Sequence, residues 1–210
     1  SNRGFDNEFV AALDDKDGSL IWTTRIGNVG NGKDVLYAKA RSTPTIDGDF
    51  LYALGSDGDL ACLETKTGKI RWQKNLRKDF DGKPGLWAYA ESPLVDGEVV
   101  VVTPGGEQAT MVALNKKTGD VIWKSAVPGG DPAGYASAIV VQAVGRKQYV
   151  QFLSKGIVGV DAKTGQFLWR YAAPAKGMAQ IPTPVERDGY VYGGAVNIGG
   201  GRGGLKRRGQ

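Results

Sequence analysis

Leu114-Asn-Lys-Lys-Thr-Gly-Asp-Val-Ile-Trp123 decides how this chain is read, because it is one of four copies. The others are Leu13-Asp-Asp-Lys-Asp-Gly-Ser-Leu-Ile-Trp22, Leu63-Glu-Thr-Lys-Thr-Gly-Lys-Ile-Arg-Trp72 and Val160-Asp-Ala-Lys-Thr-Gly-Gln-Phe-Leu-Trp169. Their tryptophans are 50, 51 and 46 residues apart, the spacing of a repeat architecture. Each position has a physical reason. An aliphatic residue closes one strand, and the Asp, Asn or Glu after it bonds nearby backbone to start a turn. Gly18, Gly68, Gly119 and Gly165 supply the positive φ of a tight connection. Leu20, Ile70, Val121 and Phe167 restart a strand, and Trp follows two positions later, on the face that simple alternation makes the same. The indole offers a large plate for packing on the next unit, with an N–H free for a carbonyl.

A second element alternates with the first. Thr43-Pro-Thr-Ile-Asp-Gly recurs as Ser92-Pro-Leu-Val-Asp-Gly and as Thr183-Pro-Val-Glu-Arg-Asp-Gly, each followed by an apolar run. Asp-Gly between apolar runs predicts a hairpin. The third copy, Ser137-Ala-Ile-Val-Val, lacks the Pro and the Asp-Gly. Together the elements predict four short strands per repeat: after Ser/Thr-Pro, after Asp-Gly, up to the Gly turn, and through Trp. Sheets of this kind at this period are β-propeller blades. No stretch carries helical periodicity of useful length.

Composition removes several functions. No histidine is present, so Ser-His-Asp and Cys-His catalysis are excluded. Cys62 is the single cysteine, which rules out an intrachain disulfide and a Cys-based zinc site. The net charge of +5 owes most of its excess to Arg202, Lys206, Arg207 and Arg208, so no broad nucleic-acid face is indicated. No apolar run reaches the length of a membrane helix, and no basic-then-apolar signal peptide opens the chain. Asp14-Asp-Lys-Asp-Gly lacks the distal Glu of a calcium loop, and neither Gly105-Gly-Glu nor the run Gly199–Gly204 has the Lys-Ser/Thr of a phosphate loop.

The motif Asp-x-Lys-Thr-Gly-x-x-x-Trp resembles the tryptophan-docking motif of pyrroloquinoline-quinone (PQQ) type propeller repeats. The resemblance covers about 190 residues. It implies an all-β propeller of four-stranded antiparallel blades, in a family whose rings carry about seven or eight of them. Here it implies a half-blade over 1–30, blades over 31–80, 81–130 and 131–175, a half-blade over 176–197, and a Gly/Arg-rich basic tail over 198–210. An open arc of a larger ring is expected, in preference to a closed four-bladed ring. The arc would need its remaining blades or another chain to cover its end faces.

The family holds quinoprotein alcohol dehydrogenases and cofactor-free scaffolds, among them the lipoprotein of the outer-membrane β-barrel assembly machinery. The dehydrogenases imply a quinone stacked on a Trp, an adjacent Cys-Cys disulfide, a calcium held by Glu and Asn, and a catalytic Asp. No Cys-Cys pair or matching Asn constellation stands here, so neither PQQ nor calcium, no metal and no catalytic residue are expected. Trp22, Trp72, Trp123 and Trp169 are structural in the family. The resemblance therefore implies a scaffold for a protein or small ligand in the bacterial periplasm or envelope, with a dehydrogenase fragment or a glycan-binding module as alternatives. In the family the first strand of each blade lines the channel. Residues just before it, Arg41, Glu91, Tyr135 and Gln180, then converge at one mouth, with the hydroxyls of Ser42, Ser92, Ser137 and Thr183 behind them. Gly85-Leu-Trp87-Ala-Tyr89 leads into the same region, and Trp87 and Tyr89 are its candidate exposed aromatics. Arg41 and Glu91 are read either as ligand contacts or as an ion pair joining two blades.

Overall fold

The computed structural model describes residues 7–29, 39–175 and 179–194, and the backbone of 202–203. The basic tail lies otherwise outside the described residues. An N-terminal hairpin pairs β1 (Asn7–Leu13) with β2 (Leu20–Asn28). The first blade is β3 (Thr45–Asp47), β4 (Phe50–Leu54), β5 (Asp59–Glu64) and β6 (Ile70–Asn75). The second is β7 (Leu94–Asp96), β8 (Val99–Val102), β9 (Met111–Asn115) and β10 (Val121–Ser125). The third is β11 (Ile139–Ala143), β12 (Arg146–Leu153), β13 (Gly156–Asp161) and β14 (Phe167–Tyr171). A C-terminal sheet holds β15 (Val185–Arg187), β16 (Tyr190–Tyr192) and β17 (Arg202–Gly203). Each blade is an antiparallel meander in chain order, as the alternating motifs require.

The sequence predicted no helix, yet α1 (Leu76–Phe80) follows β6. Asn75 explains it: its side chain accepts from the N–H groups of Arg77 and Lys78, capping a single turn too short to show periodicity. The reading that Trp shares a face with the residue two before it is also corrected. Every docking hairpin has a bulge at that point: Leu63 faces Ile70 and Cys62 faces Trp72, leaving Arg71 unpaired. One extra residue reverses the alternation. Ile70 therefore packs back toward the N-terminal hairpin, and Trp72 forward into the second blade.

The core lies between sheets, in four apolar layers. One joins hairpin and first blade through Val10, Ile26, Leu51 and Leu63. The next joins first and second blades through Tyr52, Leu60, Trp72, Val100 and Leu114. A third joins second and third through Met111, Trp123, Tyr149 and Val160, and the last sets Val150, Phe152 and Ile157 against Val191. The first three layers are fastened the same way. The indole N–H of Trp22 donates to Thr65 O at 2.9 Å, Trp72 to Lys116 O at 3.0 Å and Trp123 to Ala162 O at 3.2 Å. Each indole also lies on the turn glycine of the following repeat. A Cβ on Gly68 would come within 2.5 Å of Trp22, one on Gly119 within 2.8 Å of Trp72, and one on Gly165 within 2.6 Å of Trp123. The glycine serves two purposes: a positive φ and room for the neighbour's ring.

The ends of the arc break this pattern. Trp169 donates to Gln148 Oε1 in its own blade at 2.8 Å, and a Cβ on Gly18 would meet nothing within 4 Å among the described residues. The sheets thus form a partial arc whose terminal indole and terminal glycine do not meet.

Candidate functional site

The first strands of the blades are stitched together by the hydroxyls that precede them. Thr43 N–H donates to Ser92 Oγ at 3.1 Å, Ser92 N–H to Ser137 Oγ at 2.8 Å and Ser137 N–H to Thr183 Oγ1 at 3.3 Å. These N–H groups lie two residues before β3, β7 and β11, the first strands of their sheets, and the hydroxyl of the next blade supplies the acceptor.

Beside this ladder lies the expected mouth. The guanidinium of Arg41 donates to Trp87 O, Trp87 N–H donates to Tyr135 Oη at 3.2 Å, and Tyr135 N–H donates to Gln180 O at 3.0 Å. Trp87 and Tyr135 form a tilted ring pair with centroids 5.6 Å apart at 56°. Both rings are half-buried, Arg41 and Leu86 are exposed, and Gln180 is buried. Gly85 permits the arrangement, since a Cβ there would fall 2.5 Å from Tyr135 Oη. The loop carrying Trp87 is pinned on both flanks. Lys83 N–H donates to Pro104 O, Lys83 O accepts from Ala133 N–H, and Tyr89 N–H donates to Ser56 O.

Tyr89 and Glu91 are not on that surface. Tyr89 is 1% exposed and its hydroxyl donates to Pro104 O at 2.8 Å, so the exposed aromatic expected there is a loop anchor. Glu91 is buried between second and third blades, where its carboxylate accepts from Thr103 N–H and, at 2.9 Å, from Gln151 Nε2. Gln151 also donates to Thr103 Oγ1 and Ala136 O, and its own oxygen accepts Phe152 N–H. Burial, opposed by those hydrogen bonds, pushes the Glu91 carboxyl up to about 7.

This buried acid has two counterparts that sequence reading missed. Glu8 accepts Ser56 N–H at 2.6 Å, and Asp131 accepts Lys155 N–H at 2.9 Å and Ser154 Oγ at 2.7 Å. Ser56, Thr103 and Lys155 all follow the second strand of a blade, so a buried carboxylate caps that strand end three times. The visible signal was a polar residue inside an apolar strand, as in Tyr149-Val-Gln-Phe-Leu153. A polar cleft of about 360 Å³ lies elsewhere, lined by Arg25, Asn28, Asp59, Lys74, Asn75 and Asp79 among others, and includes no residue of the mouth. Its carboxylates bond its own walls: Asp59 accepts from Asn28 N–H and Asn75 Nδ2, and Asp79 from Asn75 N–H.

The family model described as outer membrane protein assembly factor BamB matches residues 6–206. The chain belongs to this BamB-like family of PQQ-type propeller repeats. It is 24% identical over 191 residues to BamB of Kangiella koreensis, covering 90% of this chain and 44% of that protein. It is 29% identical over 159 residues to quinoprotein alcohol dehydrogenase PedH of Pseudomonas putida, covering 72% of this chain and 24% of that one. The crystal structure of BamB from Moraxella catarrhalis superposes with a TM-score of 0.59 at 19% identity, over 90% of this chain and 51% of that one. The chain thus spans under half of those curated relatives and about half of the solved one.

The dehydrogenase relative raises the question of whether a quinone and calcium fit here. Trp22, Trp72 and Trp123 each have a face against the next glycine and an engaged N–H, so none is an open stacking platform. Cys62 is free and buried, and the described residues contain no group of three Asp, Glu or Cys placed to hold a metal. Those three indoles do not fit the role of a quinone platform, and no chemistry is routed through the cofactor. Among the described residues no helix is long and apolar enough to cross a membrane.

Proposed function

We propose that this chain is a non-catalytic propeller scaffold of the bacterial cell envelope that binds protein segments across its channel mouth. The observation that carries this is the Trp87–Tyr135 ring pair with Arg41 beside it, presented on a loop that backbone hydrogen bonds hold in place. Half-exposed aromatics next to an exposed guanidinium suit an extended peptide with aromatic and acidic side chains. BamB relatives, named for outer-membrane protein assembly, support the envelope and protein-binding parts of the reading. A glycan site built on Trp87 and Tyr89 loses its second wall, because Tyr89 is buried.

The test is a fluorescence titration with aromatic-rich strand peptides from an outer-membrane β-barrel protein. The scaffold reading expects saturable binding that weakens roughly tenfold, about 1.4 kcal/mol, in Trp87→Ala and Arg41→Ala while their melting temperatures hold. No binding, or binding that both variants retain, overturns it. Incubation with PQQ and calcium followed by desalting gives an independent check: retained quinone absorbance would favour the dehydrogenase fragment instead.

A further inference from the structure

Both walls of the Trp87–Tyr135 mouth rest on one buried carboxyl, that of Glu91. On one side, Glu91 accepts Thr103 N–H. The next carbonyl along, Pro104 O, accepts the Tyr89 hydroxyl at 2.8 Å and Lys83 N–H, which hold the two flanks of the loop carrying Trp87. On the other side, Glu91 accepts Gln151 Nε2 at 2.9 Å, and that same nitrogen donates to Ala136 O at 3.1 Å. Ala136 follows Tyr135, whose hydroxyl accepts Trp87 N–H and whose ring packs on Trp87. One side chain therefore ties the Trp87 loop to the segment that carries Tyr135. The charged groups facing this junction belong to its neighbours. Arg77 and Asp57, 3.4 Å apart, lie beyond Tyr89 on the first blade. Asp131, on the loop leading to Ala136, pairs with Arg170 at 3.2 Å and accepts Lys155 N–H. On the mouth itself, Lys83 pairs with Glu107 at 3.1 Å and Arg41 donates to Trp87 O.

The bonding at this junction turns on a single proton. Gln151 cannot turn its amide over, since its oxygen accepts Phe152 N–H and its nitrogen serves Ala136 O. One amide hydrogen is left for Glu91 and Thr103 Oγ1 together. An ionised Glu91 accepts that hydrogen, Thr103 N–H and the Thr103 hydroxyl, but holds its charge with no cation set against it among the described residues. A protonated Glu91 donates its O–H to Thr103 Oγ1 and holds no charge. Glu91 is 3% exposed, and Thr103 and Gln151 are 1% exposed, so water reaches the charge only where the segments part. We propose that Glu91 is a proton-controlled latch of the mouth: its neutral carboxyl holds the Trp87 loop against Tyr135, and its ionisation lets the two separate. The link to affinity rests on the mouth being the binding site. Burial pushes this carboxyl up to about 7, so the change falls near neutrality. A segment seated on the closed ring pair favours the protonated form. Its affinity is then full below the folded-state value and is lost as pH rises through it.

The free 210-residue chain is tested first, by NMR from about pH 5.5 to about pH 8.5, with circular dichroism confirming the fold at each point. The Glu91 side-chain carboxyl carbon and the Trp87 backbone amide are expected to titrate with one midpoint. Nuclear Overhauser contacts between the Trp87 and Tyr135 rings are expected to fade above it. In Glu91→Gln the Trp87 amide is expected to lose its titration and the ring contacts to persist. Separate midpoints, ring contacts unchanged across the range, or a Trp87 amide that still titrates in Glu91→Gln overturn the latch. The first two are read in the unmodified chain and decide the matter even where the variant does not fold. Histidine-free strand peptides are then titrated at both ends of the range. Binding roughly fivefold weaker at the higher pH, and independent of pH in Glu91→Gln, is expected, and equal affinity in the unmodified chain overturns the proposal. Peptides that bind at neither pH, while carboxyl and amide titrate together and the ring contacts fade, sink the mouth as a binding site and support the latch.

Discussion

At the scale of single residues, glycine separates two effects that other proteins blur. Gly119 and Gly97 both sit at positive φ, 75° and 60°, but only Gly119 underlies an indole. Gly97→Ala is expected to cost about 1–2 kcal/mol of left-handed backbone strain alone. Gly119→Ala adds the displacement of Trp72, a further ~1–3 kcal/mol, which chemical denaturation of both variants would resolve. Val144 presents the opposite case. It stands at φ 52°, 84% exposed, in the turn between β11 and β12 where the repeat has lost its Asp-Gly. A β-branched residue is strained there, so Val144→Asn is expected to raise stability by roughly 0.5–1 kcal/mol.

At the scale of the element, the blade is a local object and the joint between blades is not. Asp14, Asn115 and Asp161 accept from backbone N–H groups two residues on, so their turns form from short-range chemistry that the sequence displays. The hydroxyl ladder is different. Four hydroxyls could be read from the repeat, but not that Ser92, Ser137 and Thr183 each accept an N–H from the preceding blade while Ser42 accepts none. Ser92→Ala and Ser137→Ala are each expected to cost about 1 kcal/mol, because each strands a backbone donor. The bulge after Ile70 escaped for a related reason: alternation is a rule of an uninterrupted strand, and one unpaired residue reverses it. Tyr89 was misplaced because an aromatic in a loop reads as exposed until a carbonyl such as Pro104 O is found to receive its hydroxyl.

At the scale of the whole molecule, buried acids set the pH response. Burial raises the carboxyls of Glu8 and Asp131 as well as Glu91, so the folded state holds protons that the unfolded chain releases. Their contribution is fully present below about pH 4, the unfolded carboxylate range, and is lost as pH rises toward 7. For Glu91 alone it is on the order of 3 kcal/mol. Glu64, Glu98 and Asp161 are lowered by hydrogen bonds and cationic neighbours, and act in the opposite sense only below the usual carboxylate range. Urea unfolding is therefore expected to show stability falling between pH 5 and about 7.5, with a shallower slope in Glu91→Gln. A slope unchanged by that substitution would assign the effect to the other raised carboxyls, Glu8, Asp57 and Asp131.

The sequence by itself determined the repeat, the strand order, the turns and the tryptophans that join blade to blade, because each of these is written in residues within ten positions of one another. Within these 210 residues it also left no histidine for catalysis and no second cysteine for an intrachain disulfide. The tertiary structure decided which polar residues are buried, and therefore which of the six mouth candidates reach the surface. Glu91 meets Gln151, and Trp87 meets Tyr135, only because successive sheets stack. The partner of a side chain some fifty residues away is fixed by that stacking, and no local pattern encodes it.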